Sequence, residues 1–169
     1  MKKINKIILT AVIALSSLNF TFAQSKVAHI NTQELVASMP EMNTAKAELE
    51  KLAKTYETDI QTMAAELQSK VKQYDTEAPN QTDEENQKRL QEVQGMEQNI
   101  RQYQQQAQSD LQKKEFDLLK PISEKAQAAI IKVANAQGFD YVLDSTQGQG
   151  VILANGKDLM SDVKSELGF

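Results

Sequence analysis

The chain has no cysteine and no tryptophan, and only one histidine, three prolines and six glycines in 169 residues. Without cysteine no disulfide can hold the fold, and no thiolate is available as a zinc ligand or nucleophile. His29 has no second histidine or cysteine to complete a metal site or a catalytic pair, so it reads as a structural strand residue. The glycines form no phosphate-cradling loop. Nothing here points to an enzyme, a metal or a cofactor.

Basic charge is also short once the N-terminus is set aside. Lys2, Lys3 and Lys6 precede an apolar run from Ile7 to Leu18, which has signal-peptide length and is too short for a stable membrane span. Thr21-Phe22-Ala23 offers modest and small side chains at the −3 and −1 positions, so residues 1–23 read as a leader cleaved after Ala23. No cysteine follows to anchor a lipid. The remaining 146 residues carry 16 Lys and Arg (19 less the three in the leader) against 23 Asp and Glu, a net charge of −7. A basic surface for nucleic acid is excluded on that balance. Beyond the leader no run is apolar enough to cross a membrane. The expectation is an exported, soluble protein.

From Pro40 the pattern becomes helical. Met42, Ala45, Leu49, Leu52, Tyr56, Ile60, Met63, Leu67, Val71 and Tyr74 recur at steps of three and four, averaging 3.56 residues. That lies between the heptad and 11-residue periods and predicts a long, weakly supercoiled helix with one narrow stripe. Pro40 suits its first turn. Pro79 and Asn80 end it, and Thr82-Asp83-Glu84-Glu85 reads as a capping box for a second helix. A connection this short makes the two helices an antiparallel hairpin, with its tip near 75–82.

The second helix carries a thinner stripe: Leu90, Val93, Met96, Ile100, Tyr103, Ala107 and Leu111. Eleven of the 32 residues from Gln81 to Gln112 are glutamine, which reads as a solvated helix face rather than a disordered tract. Gly95 softens it. Pro121 predicts a bend or restart, and beyond it Ile122, Ala126, Ala129, Ile130, Val133 and Ala134 form a denser apolar face. Gly138 sits where a left-handed cap would end the helix. The predicted layout is an arm over 40–137, entering a packed body near 121.

The body is drawn from both ends, 24–39 and 138–169. It comprises a strand at Val27–Asn31, a short helix from Asn31 or Thr32 to Met39, and a β-hairpin joining Asp140–Asp144 to Val151–Ala154. A last helix is capped by Asp158, with Leu159, Val163 and Leu167 on one face. These 48 residues make a small core with open strand edges, and self-association would remedy both. Val27, Ile30, Val142, Leu143, Ile152 and Leu153 are the interface candidates.

Taken together, the leader, the strand Lys26–Asn31, Pro40-Glu41 opening a long helix, and the polar hairpin form one pattern. Gly138-Phe139-Asp140-Tyr141-Val142-Leu143-Asp144 and Asp158-Leu159-Met160-Ser161-Asp162-Val163 are its most specific parts. Over essentially the whole mature chain this pattern resembles the Skp/OmpH-like family of periplasmic chaperones. The resemblance implies a mainly α protein with a small β body. It implies a homotrimer with a barrel-like centre and three projecting helical hairpins, or tentacles, around a cavity. It also implies ATP-independent holding of unfolded outer-membrane proteins in the periplasm. Well-known members are strongly basic, whereas residues 75–97 here carry seven acids against Lys88 and Arg89, and no basic cluster carries over a lipopolysaccharide site.

On that reading Tyr56, Ile60, Met63, Met96, Ile100 and Tyr103 are the client-contact candidates: apolar, scattered and set among polar groups. The competing reading gives the same side chains the plainer task of zipping the two helices together. An exported coiled-coil spacer or adaptor without chaperone activity is the rival function.

Overall fold

The computed structural model describes residues 25–169; the expected leader and its cleavage site lie outside them. The element order is β1 (Val27–Ile30), α1 (Thr32–Ser38), α2 (Pro40–Glu77), a 3-10 turn at Ala78–Asn80, α3 (Asp83–Gln137), β2 (Tyr141–Asp144), β3 (Lys157–Asp158) and α4 (Met160–Leu167). The chain is mostly helical, with one small sheet. No helix among the described residues is long and apolar enough to cross a membrane.

Local chemistry sets the helix ends. Asn31 caps α1, its side chain accepting from the Glu34 N–H at 3.0 Å. Pro40 occupies the first turn of α2, where a missing N–H costs nothing. Thr82 caps α3 by accepting from the Glu85 N–H at 3.2 Å, while the Glu85 carboxylate turns to Arg89. Asp83, Glu84 and Glu85 place negative charge at the positive end of the α3 dipole. Gly138 ends α3 in the left-handed conformation, φ 71°, as its position in the sequence predicts.

Two expectations are corrected along α3 and α4. The long helix runs through Pro121 without a break. The proline is exposed, so its ring meets solvent, while Ile122, Ala126 and Ala129 just beyond it are buried and hold the next turns in place. Helix α4 begins at Met160, one residue later than an Asp158 cap would start it. Asp158 ends β3 instead, and its carboxylate still accepts from the Met160 N–H at 2.8 Å.

The sheet departs further from expectation. Its order is β2-β1-β3 and both pairings are parallel, so 140–154 forms no hairpin. Val27 pairs with Tyr141 and Ile30 with Asp144, whereas Ala28 and His29 pair with Lys157 and Asp158. Val151–Ala154 forms no strand. After β2 the chain is turned aside by Thr146, a buried residue that accepts from the Gln33 N–H and donates to Asn31. The edge of β1 that a hairpin would have left open is taken by Lys157 and Asp158.

One face of this sheet covers the core: Ala28, Ile30, Leu35 and Met39 meet Ile122, Ala126, Ala129, Val133 and Ala134 of α3, and Leu159 and Val163 close it. Phe139 and Val142 pack against its margin. Ile30, expected at a subunit interface, is buried inside the single chain because alternation along β1 turns it inward with Ala28.

Candidate functional site

The arm is α2 laid antiparallel on α3. Bridging pairs run from Glu41–Lys125 at the root, through Glu48–Lys114 at 2.9 Å, to Lys70–Glu92 at 3.0 Å and Glu77–Arg89 at 2.8 Å near the tip. Numbers rise along one helix as they fall along the other. Half-buried positions of α2 reproduce the predicted stripe: Leu49, Leu52, Tyr56, Ile60, Met63, Leu67, Val71 and Tyr74.

All six client-contact candidates are half-buried on this seam. The two tyrosines meet edge to face, ring centres 5.6 Å apart, and each reaches across to the other helix. The Tyr56 hydroxyl donates to Asp110 at 2.8 Å and that of Tyr103 to Asp59 at 2.6 Å. A carboxylate that accepts a phenolic proton opposes its loss. The Asp110 bond therefore raises Tyr56, and the Asp59 bond pushes Tyr103 up to about 12. Tyr56 and Ile60 also line a surface groove of about 590 Å3 with Ala53, Ala107, Leu111 and several glutamines. The candidates thus serve the helix–helix contact and keep part of their surface open to water.

The tip is tied more tightly. Tyr74 lies under two cations, with the Arg89 guanidinium 4.6 Å and the Lys70 ammonium 5.2 Å from its ring centre. Its hydroxyl donates to Glu92, and that bond, with Lys70, holds the Glu92 carboxyl below its usual range.

At the other end, the assembly candidates separate. Val27 and Leu143 are exposed on the sheet's outer face, Val142 is half-buried toward the core, and Ile30 is inside. Ile152 and Leu153 stand out in solvent. The specific motif acquires physical roles. Asp140 accepts from the Lys26 N–H at 2.8 Å, tying the first described strand to the end of α3. Asp144 accepts from the Thr32 hydroxyl at 2.6 Å and from the Thr146 N–H at 2.9 Å, joining β2 to the start of α1. Burial alone would raise the Asp144 carboxyl, but hydrogen bonds from Thr146 and Thr32 outweigh it and bring it to about 2. No group of three or more His, Cys, Asp or Glu able to hold a metal occurs among the described residues.

The family model described as outer membrane protein (OmpH-like) matches residues 26–167, nearly the whole described chain. The chain belongs to the OmpH-like family. No curated protein matches it in sequence. Among solved structures it is similar to an OmpH-like protein from Caulobacter crescentus CB15, a candidate outer membrane chaperone, with 18% identity. The match covers 86% of this chain and 85% of that one, at a TM-score of 0.76. At that identity the OmpH-like likeness speaks for the fold.

Sequence reading missed two exposed side chains of α3, Phe116 on the arm and Ile131 in the body. Their signal was available: Phe116 lies five residues past Leu111, and Ile131 lies two past Ala129, on the opposite side of the helix.

Proposed function

We propose that this OmpH-like protein is an ATP-independent holding chaperone of the periplasm, non-enzymatic, exported by its leader and working as a homotrimer. Its clients are unfolded outer-membrane proteins. The observation that carries this reading is the arm's construction: a long projecting hairpin whose apolar stripe is only half covered and whose helices are bridged by exposed polar pairs. Weak contacts spread along such a surface hold a flexible chain without imposing one bound shape, and methionines adapt readily. The Caulobacter relative's description as a candidate outer membrane chaperone supports it.

Val27, Val142, Leu143, Ile152 and Leu153 are the proposed assembly residues, with the three bodies joined into a barrel-like centre. Because the arm is acidic, it favours basic client segments, and rising salt weakens that attraction while apolar contact persists. Lipopolysaccharide is not a proposed ligand, since no basic cluster is present to receive it.

The test is aggregation of a denatured outer-membrane barrel. Mature protein at stoichiometric amounts is expected to suppress it without ATP. If several-fold excess leaves the aggregation of several different barrels unchanged, the spacer reading replaces this one. That second reading has one observation in its favour: all six contact candidates lie on the helix seam. Ile60→Ser with Ile100→Ser separates the two. Loss of holding before loss of helicity supports client contact; loss of helicity first supports a seam with no further task.

A further inference from the structure

Asparagine is chemically labile, and its surroundings decide how fast it changes. Loss of its amide needs the backbone nitrogen of the next residue to reach the side-chain carbonyl carbon. Seven asparagines lie among the described residues. Asn43, Asn86, Asn99 and Asn135 sit inside α2 and α3, where the following nitrogen belongs to the helical hydrogen-bond ladder and the dihedrals are fixed. Asn80 ends the 3-10 turn, and the next nitrogen, that of Gln81, donates to the Ala78 carbonyl at 3.2 Å. Asn31 caps α1, and the Thr32 nitrogen after it donates to Asp144 at 3.3 Å. In all six the attacking atom is already engaged.

Asn155 differs on each count. It is exposed and lies outside any helix or strand, between the exposed pair Ile152-Leu153 and β3. The residue after it is Gly156, and this is the one Asn-Gly pair in the sequence. Glycine has no side chain to shield its nitrogen and turns more freely than any other residue. Among the described residues no backbone carbonyl outside the sheet accepts from the Gly156 N–H. On its far side the chain is anchored, since the Leu159 N–H donates to the His29 carbonyl at 3.0 Å. The loop bearing Asn155 is thus free to turn onto a glycine held beside β1.

We infer that Asn155 is a site of spontaneous deamidation and isomerisation. The Gly156 nitrogen attacks the Asn155 side-chain carbonyl carbon and forms a C–N bond. The side-chain amide leaves as ammonia, taking the proton that the Gly156 nitrogen gives up, and a succinimide ring remains. Water then opens the ring at either carbonyl. One opening restores the ordinary main chain with aspartate at 155; the other leaves the chain running through the former side chain as isoaspartate. Overall one water is consumed and one ammonia released, with no oxidation or reduction. Both products add a carboxylate beside Lys157 and Asp158, and isoaspartate also adds a carbon to the main chain just ahead of β3. The change falls on the loop that carries Ile152 and Leu153, away from the arm. It stands independently of the chaperone reading.

The test is made on mature full-length protein held warm for days at neutral and at mildly alkaline pH. Digestion and mass spectrometry follow, with fragmentation that tells isoaspartate from aspartate. The peptide holding residue 155 is expected to gain the mass of OH in place of NH2 and to appear mainly as isoaspartate. Conversion should be faster at the higher pH, because the attacking nitrogen must shed its proton. Peptides holding the helical asparagines are expected to stay intact. Gly156→Ala keeps Asn155, and its methyl would meet only an ordinary contact, 3.4 Å from the Val27 carbonyl oxygen. It is expected to slow conversion at least about tenfold by shielding and stiffening the attacking nitrogen. An Asn155 that outlasts the incubation overturns the inference. So does conversion spread evenly over the helical asparagines, or a folded Gly156→Ala variant that converts as fast as wild type.

Discussion

Arm and body share the long helix α3 but are held together by different means. From Lys46 to Pro121 the only fully buried hydrophobic residue is Ala107, and the seam relies on half-covered side chains and exposed polar bridges. Exposed ion pairs contribute roughly 0–1 kcal/mol each, and less in salt. Beyond Pro121 the same α3 buries Ile122, Ala126, Ala129, Val133 and Ala134 against the sheet, α1 and α4. One helix thus passes from a soft, hydrated partnership into a close-packed one. On the proposed reading the soft part holds the flexible client, and the packed part fixes the arm's position.

The comparison breaks most readily in the body. Leu35→Ala removes a fully buried side chain and is expected to cost about 3 kcal/mol. Ile60→Ala on the half-covered seam is expected to cost about 1 kcal/mol. Urea unfolding followed by helical dichroism checks both, and equal costs would erase the contrast.

The next effect is electrostatic. Asp144→Ala leaves the Thr32 and Thr146 donors without their carboxylate and is expected to cost roughly 2 kcal/mol. The folded carboxyl lies below its usual value of 3.8, at about 2, so its stabilisation is present above pH 4 and fades as pH falls toward 2. The variant should show a flatter acid limb across that window in thermal melts.

The arm answers at the other end of the pH scale. Tyr103 is pushed up to about 12 from an ordinary 10, so its bond to Asp59 stabilises the seam below pH 10 and is lost as pH rises through 12. Tyr56→Phe with Tyr103→Phe should flatten the alkaline limb while the acid limb stays as it was. Tyrosinate absorbance and helical dichroism read together test this. Smallest of all, Gly95→Ala should stabilise α3 by up to about 1 kcal/mol, because nothing lies within 4 Å of the added methyl.

The sequence made the arm legible because its signals are local: a stripe at helical steps, Pro40, the Thr82 cap and Gly138. The sheet was harder to read. Lys157 and Asp158 form a strand only because β1 accepts them, and a two-residue polar strand has no pattern of its own. Val151–Ala154 looks like a strand from composition, yet it pairs with no strand of the sheet. Ile30 and Leu143 are both apolar strand residues, and only the pairing of β1 with β2 tells which faces the core. The contact candidates were legible as a stripe, whereas their crossed bonds to Asp59 and Asp110 depend on helix register. Phe116 and Ile131 went unread because they break the stripe instead of joining it.

On the proposed reading the arm yields and engages clients while the body stays closed. Amide hydrogen exchange on the assembled protein, with and without an unfolded outer-membrane barrel, tests it directly. Amides of residues 46–118 are expected to exchange faster than those of 27–39 and 122–163, and the client is expected to slow exchange only along the arm. Equal protection of arm and body, or client protection confined to the body, would contradict it.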